Sequence, residues 1–385
     1  MPVLSAMLII VTGCAAPVKK AEEIVFYPPP PEHPRIQFLV SLSGAEDLGA
    51  AKSTFDKFVT GGRDDTRKLD KPYGVAIYNG KLYVCDTNHT LMVFDFQKKT
   101  FDVMQGARGL GSLSQPVNIS IDRDGAKYVS DPVRGQVVAF DKNDLYVTAY
   151  GPAGEWKPVD AVAYEDNVYV ADLKNAEIKV FDKATGTIVK RIGKGGDDEL
   201  GIPTNLAFDP EGYLYVSDAG RFQIVKMDRD GHVRGTIGKL GTASGEFARP
   251  KGIAFDREGR LYVVDSAFNN VQIFTKTGQL LLFFGNAGVK GGDLNLPAKV
   301  AIDYDNVTYF QQYADPKFEI EYLIFVTNQF GDKMINVYAF GKEKGVRYPS
   351  DEELLKEAIE RMKQMKSEGQ GKGDAEKENK ENKEK

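Results

Sequence analysis

Three oxygen-bearing side chains, Asn118, Asp160 and Asn205, each follow a proline by two positions, after Pro116, Pro158 and Pro203. A carboxylate with two amide oxygens is a hard donor set of the kind that takes Ca²⁺. Lys299 holds the same place after Pro297, and glycines hold it after Pro72 and Pro250. One carboxylate is little charge for a tight cation site, and the plainer reading is polar groups solvated at an opening. The same prolines are flanked by Lys71, Lys157, Arg249 and Lys251, and Arg134, Lys174 and Arg221 follow further along. Such a set makes a basic face that would attract anions, or an ordinary solvated surface. Five further carboxylates, Asp86, Asp131, Asp172, Asp218 and Asp265, recur in step with the prolines. Catalysis needs an acid once or twice, so five copies predict caps for backbone N–H groups in nearby loops. The chain has three histidines, His33, His89 and His232, too scattered to gather a transition metal. No Ser/His/Asp set, phosphate loop or CxxCH pattern is present.

The elements that must position these residues are repeats. Pro72, Pro116, Pro158, Pro203, Pro250 and Pro297 open units spaced 42–47 residues apart. Residues 250–285 give the clearest copy: PKGIAFDREGRLYVVDSAFNNVQIFTKTGQLLLFFG. Short apolar runs separated by Gly-bearing turns read as four antiparallel strands. A period of this size with four strands per unit predicts a six-bladed β-propeller, an all-β fold. Tyr83, Tyr128, Tyr169, Tyr215 and Tyr262 stand three residues before the recurrent aspartates, and Phe94, Phe140, Phe181 and Phe274 recur on the third strands. The sixth unit lacks a fourth strand, whereas residues 35–44, RIQFLVSLSG, match the fourth-strand phrase. That segment is expected to close the ring from the N-terminal side and so remove an open sheet edge. Asn328 replaces the aspartate in this blade, and residues 307–320 interrupt it. On a propeller, the residues two after each proline should face the central channel near its mouth.

The pattern Pro-x-Gly-Ile-Ala-x-Asp, then Gly-x-Leu-Tyr-Val-x-Asp, then Phe and Gly, resembles the NHL repeat over residues 35–340. The chain departs from it at Tyr78 and Tyr164, which replace the aspartate after the first strand, and at Gln136, Glu177, Gln223 and Asn270, which replace a basic residue. The resemblance implies a six-bladed ring. It also implies kinship of fold with peptide-amidating lyases and gluconolactonase-like hydrolases, which use a metal in the channel.

The ends of the chain carry other signals. Residues 4–14 are a short apolar run, too short to span a bilayer. They end in Val11-Thr12-Gly13-Cys14, which resembles the lipobox of bacterial lipoproteins, although no basic residue precedes it. This implies residues 1–14 as a signal peptide, lipidation of Cys14 and membrane attachment in the cell envelope, at the outer membrane or cell surface. Residues 15–34, with four successive prolines from Pro28 to Pro31, read as a stiff tether. Cys85, inside a strand, reads as a small buried hydrophobe. Ser350-Asp351-Glu352-Glu353 predicts a capped helix over 350–367 with an apolar stripe of Leu354, Leu355, Ala358, Ile359, Met362 and Met365. Residues 368–385 have the composition of a disordered tail.

Net charge is −5 with both signs interspersed, which gives no reason to expect nucleic acid as a partner. The reading that follows is a lipid-anchored extracytoplasmic propeller that binds protein partners as a scaffold and is not an enzyme. Exported multihaem cytochromes are the partner implied by resemblance to lipoproteins of this type, and no cofactor is required. The alternatives are a Ca²⁺-dependent hydrolase or lyase using Asn118, Asp160 and Asn205, and a propeller that binds polyanions through its basic face.

Overall fold

The repeat period becomes six antiparallel sheets, five with four strands and one with five. A computed structural model describes residues 24–49, 68–88 and 90–350, and Glu353, Lys356 and Glu360 of the helix beyond. The fifth blade shows the common plan: Pro250–Phe255 nearest the channel, then Leu261–Asp265, Asn270–Phe274 and Leu280–Phe284 outward. The other inner strands are Pro72–Tyr78, Asn118–Ile121, Pro158–Tyr164, Pro203–Phe208 and Pro297–Asp303. Each inner strand packs beside the inner strands of both neighbouring blades, so the six form a closed ring.

Closure occurs in the sixth blade, where the two ends of the chain meet. Ile36–Leu42 pairs antiparallel with Ile335–Glu343, from Ile36 opposite Phe340 to Leu42 opposite Ile335, with a register shift between Phe38 and Val40. Ile36, Phe38, Leu39 and Leu42 are all buried. Each such side chain is worth about 1.5–3 kcal/mol when fully withdrawn from water, which makes this strand the clasp of the ring. A further short strand, Phe26–Tyr27, pairs on its outer side, and the Tyr27 hydroxyl donates to the Gly292 carbonyl at 3.2 Å. The described part of the expected tether, residues 24–34, is therefore held against the flank of the propeller.

The interruption at 307–320 is a short helix, Val307–Phe310, with a following turn, and the second strand lengthens to Phe318–Asn328. Phe310 is fully buried against Phe96 and Phe325, with ring centroids at 5.2 and 5.5 Å, and seals the junction between blades six and one. At the C-terminal end the capping box is reciprocal: the Glu353 N–H donates to Ser350 Oγ at 3.2 Å, and the Ser350 N–H donates to Glu353 Oε2 at 2.8 Å. The expected signal segment 1–14 with Cys14, the expected apolar stripe at Leu354, Leu355, Ala358, Ile359, Met362 and Met365, and the expected tail 368–385 lie outside the described residues. Among the described residues, no helix is long and apolar enough to cross a membrane.

Candidate functional site

The recurrent aspartates set the frame of the channel mouth. Asp218 accepts backbone N–H groups from Gly201 and Ile202 ahead of its inner strand, at 2.7 and 2.8 Å, and from Gly220 and Arg221 after the second strand, at 3.1 and 3.2 Å. Asp131 does the same with Ser114, Gln115, Val133 and Arg134. In blades one and five the capped groups include the N–H of Lys71, on Asp86, and of Arg249, on Asp265. A buried carboxylate thus fixes the backbone of the very residues that carry cations at the mouth. In the sixth blade, Asn328 keeps the motif by accepting from the Asn295 N–H at 3.0 Å and donating to the Lys333 carbonyl at 2.8 Å.

Inside that frame the inner strands approach closely. A Cβ on Gly74 would lie 2.5 Å from Asn118 Cα, and one on Gly252 would lie 2.5 Å from Lys299 Cα. Only glycine fits there, which leaves four side chains at this level: Asn118, Asp160, Asn205 and Lys299. They are not solvated, as the sequence had suggested; all four are buried, Asp160 completely. Lys299 Nζ reaches from blade six to Asp160 Oδ2 of blade three, at 2.8 Å. The same oxygen accepts from Asn205 Nδ2 at 3.2 Å and from the Leu206 N–H at 3.0 Å, while Oδ1 accepts from the Ala161 N–H at 3.0 Å. Asn118 Nδ2 donates to the Val159 carbonyl at 2.7 Å.

This arrangement corrects the Ca²⁺ reading. The one carboxylate of the proposed donor set is already matched by an ammonium, so a second cation would meet Lys299 before it met a free anion. Among the described residues, no group of three or more His, Cys, Asp or Glu side chains is placed to hold a metal. His33 and His232 pair with Glu343 and Asp198 near the surface, and His89 lies outside the described residues. What remains unsatisfied is polar and neutral. Asn118 Oδ1 and Asn205 Oδ1 are buried without a protein partner, as are Ser130 Oγ and Ser217 Oγ opposite them on the second strands. Such atoms call for water or a ligand donor. Cys85, fully buried, has its thiol pushed well above the usual range by burial and by Asp131 and Asp160.

One residue nearer the opening, the position after the proline is occupied by Tyr73 and Lys251 in blades one and five. Lys251 is 8% exposed, and its Nζ stands 4.6 Å from the centre of the Tyr73 ring. Burial pushes the Lys251 amine down to about 8, and the other charges bearing on it, Arg249 and Lys71, are both cations and push the same way. The Tyr73 phenol is pushed up to about 12 by burial; Arg249 opposes the rise and Asp160 adds to it. Lys71 lies over the ring of Phe330, at 5.6 Å.

The structure therefore divides the basic residues picked out by the sequence. Arg134 is spent on the Gln136 side chain and the Leu110 carbonyl, Lys174 on the Glu155 carbonyl, and Arg221 faces Glu199 at 3.9 Å. Arg249 and Lys251, with Lys71, converge instead. Sequence reasoning missed Tyr73, yet a signal existed. The position after the repeat proline is Val117, Val159, Thr204 and Ala298 in four blades, so Tyr73 and Lys251 are the two departures. A separate cavity of about 1020 Å³ lies on the outer flank, lined by Tyr27, Pro28, Leu280, Leu282, Phe283 and Phe340 among others, away from the channel.

No protein-family model and no curated protein matches the chain. Among solved structures, it is similar to an auxiliary nutrient binding protein from Bacteroides thetaiotaomicron, with 14% identity over 73% of this chain and 71% of that one, and a TM-score of 0.53. It also matches virginiamycin B lyase from Staphylococcus aureus (14% identity, 70% and 84% covered, TM-score 0.46) and a gluconolactonase from Xanthomonas campestris (17%, 70% and 86%, TM-score 0.49). At these identities the likeness shows the propeller fold alone. The expectation that the chain is not an enzyme does not stand: one fold hosts unrelated functions, so neither the propeller nor the want of a recognisable catalytic motif is ground for excluding catalysis.

Proposed function

We propose that this chain is a lipid-anchored, extracytoplasmic propeller that binds a small anionic ligand at the channel mouth between blades five and one. The observation that carries the reading is Lys251, buried and laid over the Tyr73 ring, with Arg249 and Lys71 as the charges that bear on it. Holding a desolvated cation among cations is unfavourable, and an anion seated between them reverses the sign of that interaction. The orphaned Asn118 and Asn205 oxygens one level deeper supply acceptors for the ligand's polar hydrogens or for water carried with it.

Calorimetric titration with lactate and other small carboxylates tests the site. Binding should weaken as salt rises. Lys251→Ala should lower affinity about tenfold or more, equivalent to about 1.4 kcal/mol, whereas Lys174→Ala, whose ammonium is tied to a loop carbonyl, should leave it unchanged. Equal affinity in wild type and Lys251→Ala would remove the mouth from consideration.

The anchor rests on the sequence around Cys14. Cys14→Ala should move the protein from the membrane fraction to the soluble exported fraction. A variant that stays with the membrane, or a wild-type protein without lipid by mass spectrometry, would end that part of the proposal.

A further inference from the structure

Lys251 has features that anion binding alone does not require. An exposed lysine on a flexible stem would attract a carboxylate equally well. Here the amine is instead withdrawn from water, laid on the face of Tyr73, and acted on by the charges of Arg249 and Lys71. Desolvation beside other cations is the arrangement that turns a lysine from a point charge into a nucleophile. The neighbouring charges also limit what the electrophile can be. Arg249 and Lys71, the charges that bear on the amine, would draw a carboxylate, so an electrophile that joins a carbonyl to a carboxylate suits the site.

We propose that Lys251 condenses with the carbonyl group of a small 2-oxo acid held at the channel mouth, forming an imine. This inference rests on the anion-binding reading above. The unprotonated amine adds its lone pair to the carbonyl carbon, and the carbonyl oxygen takes up a proton. The resulting carbinolamine then loses its hydroxyl group and one nitrogen-bound hydrogen as water, leaving a C=N bond. No oxidant, reductant or metal enters the balance. The carboxylate stays paired with Arg249 and Lys71 throughout, and the iminium formed on protonation is stabilised by that carboxylate and by the face of the Tyr73 ring.

The test uses the full chain with pyruvate as probe and lactate as its counterpart, which has the same carboxylate but no carbonyl. Cyanoborohydride reduces an imine to a stable secondary amine, and peptide mass spectrometry then locates it. The expected result is one reduced adduct, on Lys251, formed at least tenfold faster than on any other lysine, suppressed by excess lactate, and accelerating between pH 6 and pH 8 as the amine loses its proton. Lys251→Arg should give no adduct, whereas Lys174→Ala, outside the mouth, should bind lactate and form the Lys251 adduct as the wild type does. Lactate and pyruvate binding alike with no adduct at Lys251 would overturn the imine while leaving the anion site standing. Adducts spread evenly over the surface lysines would overturn it also. Failure of both acids to bind would instead overturn the reading on which it rests.

Discussion

Asp160→Ala is expected to destabilise the propeller by about 3–5 kcal/mol, the range for removing one partner of a buried ion pair. The carboxylate is completely buried and Lys299 is only 6% exposed. Deleting the acid leaves an ammonium in the channel with no counter-charge, and it also strips Asn205 Nδ2 and the Leu206 N–H of their acceptor. Lys299→Met should cost less, because the carboxylate it leaves behind keeps the N–H groups of Ala161, Asn205 and Leu206. The double variant should lose much less than the sum of the two single losses, since neither residual charge is then stranded. Urea unfolding at constant m-value reads all three. A loss below about 1 kcal/mol for Asp160→Ala would mean that water reaches the pair and that the channel is open at this depth. The sequence reading, in which Asp160 is a solvated rim residue, leads to a change within about 0.5 kcal/mol, so the experiment separates the two.

The difference between those readings shows where sequence stops informing. Prolines at a 42–47-residue spacing, with Tyr and Asp at constant offsets, were enough for the six blades, and the match of residues 35–44 to a fourth strand was enough for the closing clasp, found at Ile36–Leu42. A repeat reports register within a blade, because each strand pairs with its neighbour in sequence. It does not report what happens across the channel. Lys299 and Asp160 are 139 residues apart and belong to opposite blades; whether a lysine at one inner strand reaches a carboxylate at another depends on the bore of the ring and on the glycines at 74 and 252 that narrow it. The basic residues pose the same difficulty. Arg134 and Lys174 are equivalent to Arg249 and Lys251 as charges in a sequence, but the carbonyls that consume the first two belong to loops whose paths no pattern specifies. Tyr27 was hidden for a related reason, since a proline run reads as a free tether until the Gly292 carbonyl that receives its hydroxyl is in place.

Lys251→Met should stabilise the protein at neutral pH by about 2 kcal/mol while weakening anion binding about tenfold or more. Burial pushes the amine down to about 8 in the folded protein, from an ordinary value of 10.5. A displacement of that size corresponds to about 3 kcal/mol of preference for the neutral form, and methionine retains much of the packing against Tyr73 without the charge. The sign follows from proton counting. Below pH 8 both folded and unfolded chains hold the proton, so the folded protein bears the full penalty of a desolvated cation beside Arg249 and Lys71. Between pH 8 and pH 10.5 the unfolded chain still holds it and the folded one does not, so wild-type stability rises with pH relative to the variant. The advantage of Lys251→Met should therefore be greatest near pH 7 and shrink steadily toward pH 10, read as converging urea midpoints. A variant less stable than wild type at pH 7 would show that the amine is paired by a group not seen here and that the mouth carries no uncompensated charge. Stabilisation with retained lactate binding would place the anion elsewhere. Stabilisation with binding so weakened would identify Lys251 as a residue kept against the interest of the fold, as expected where a site requires a strained charge.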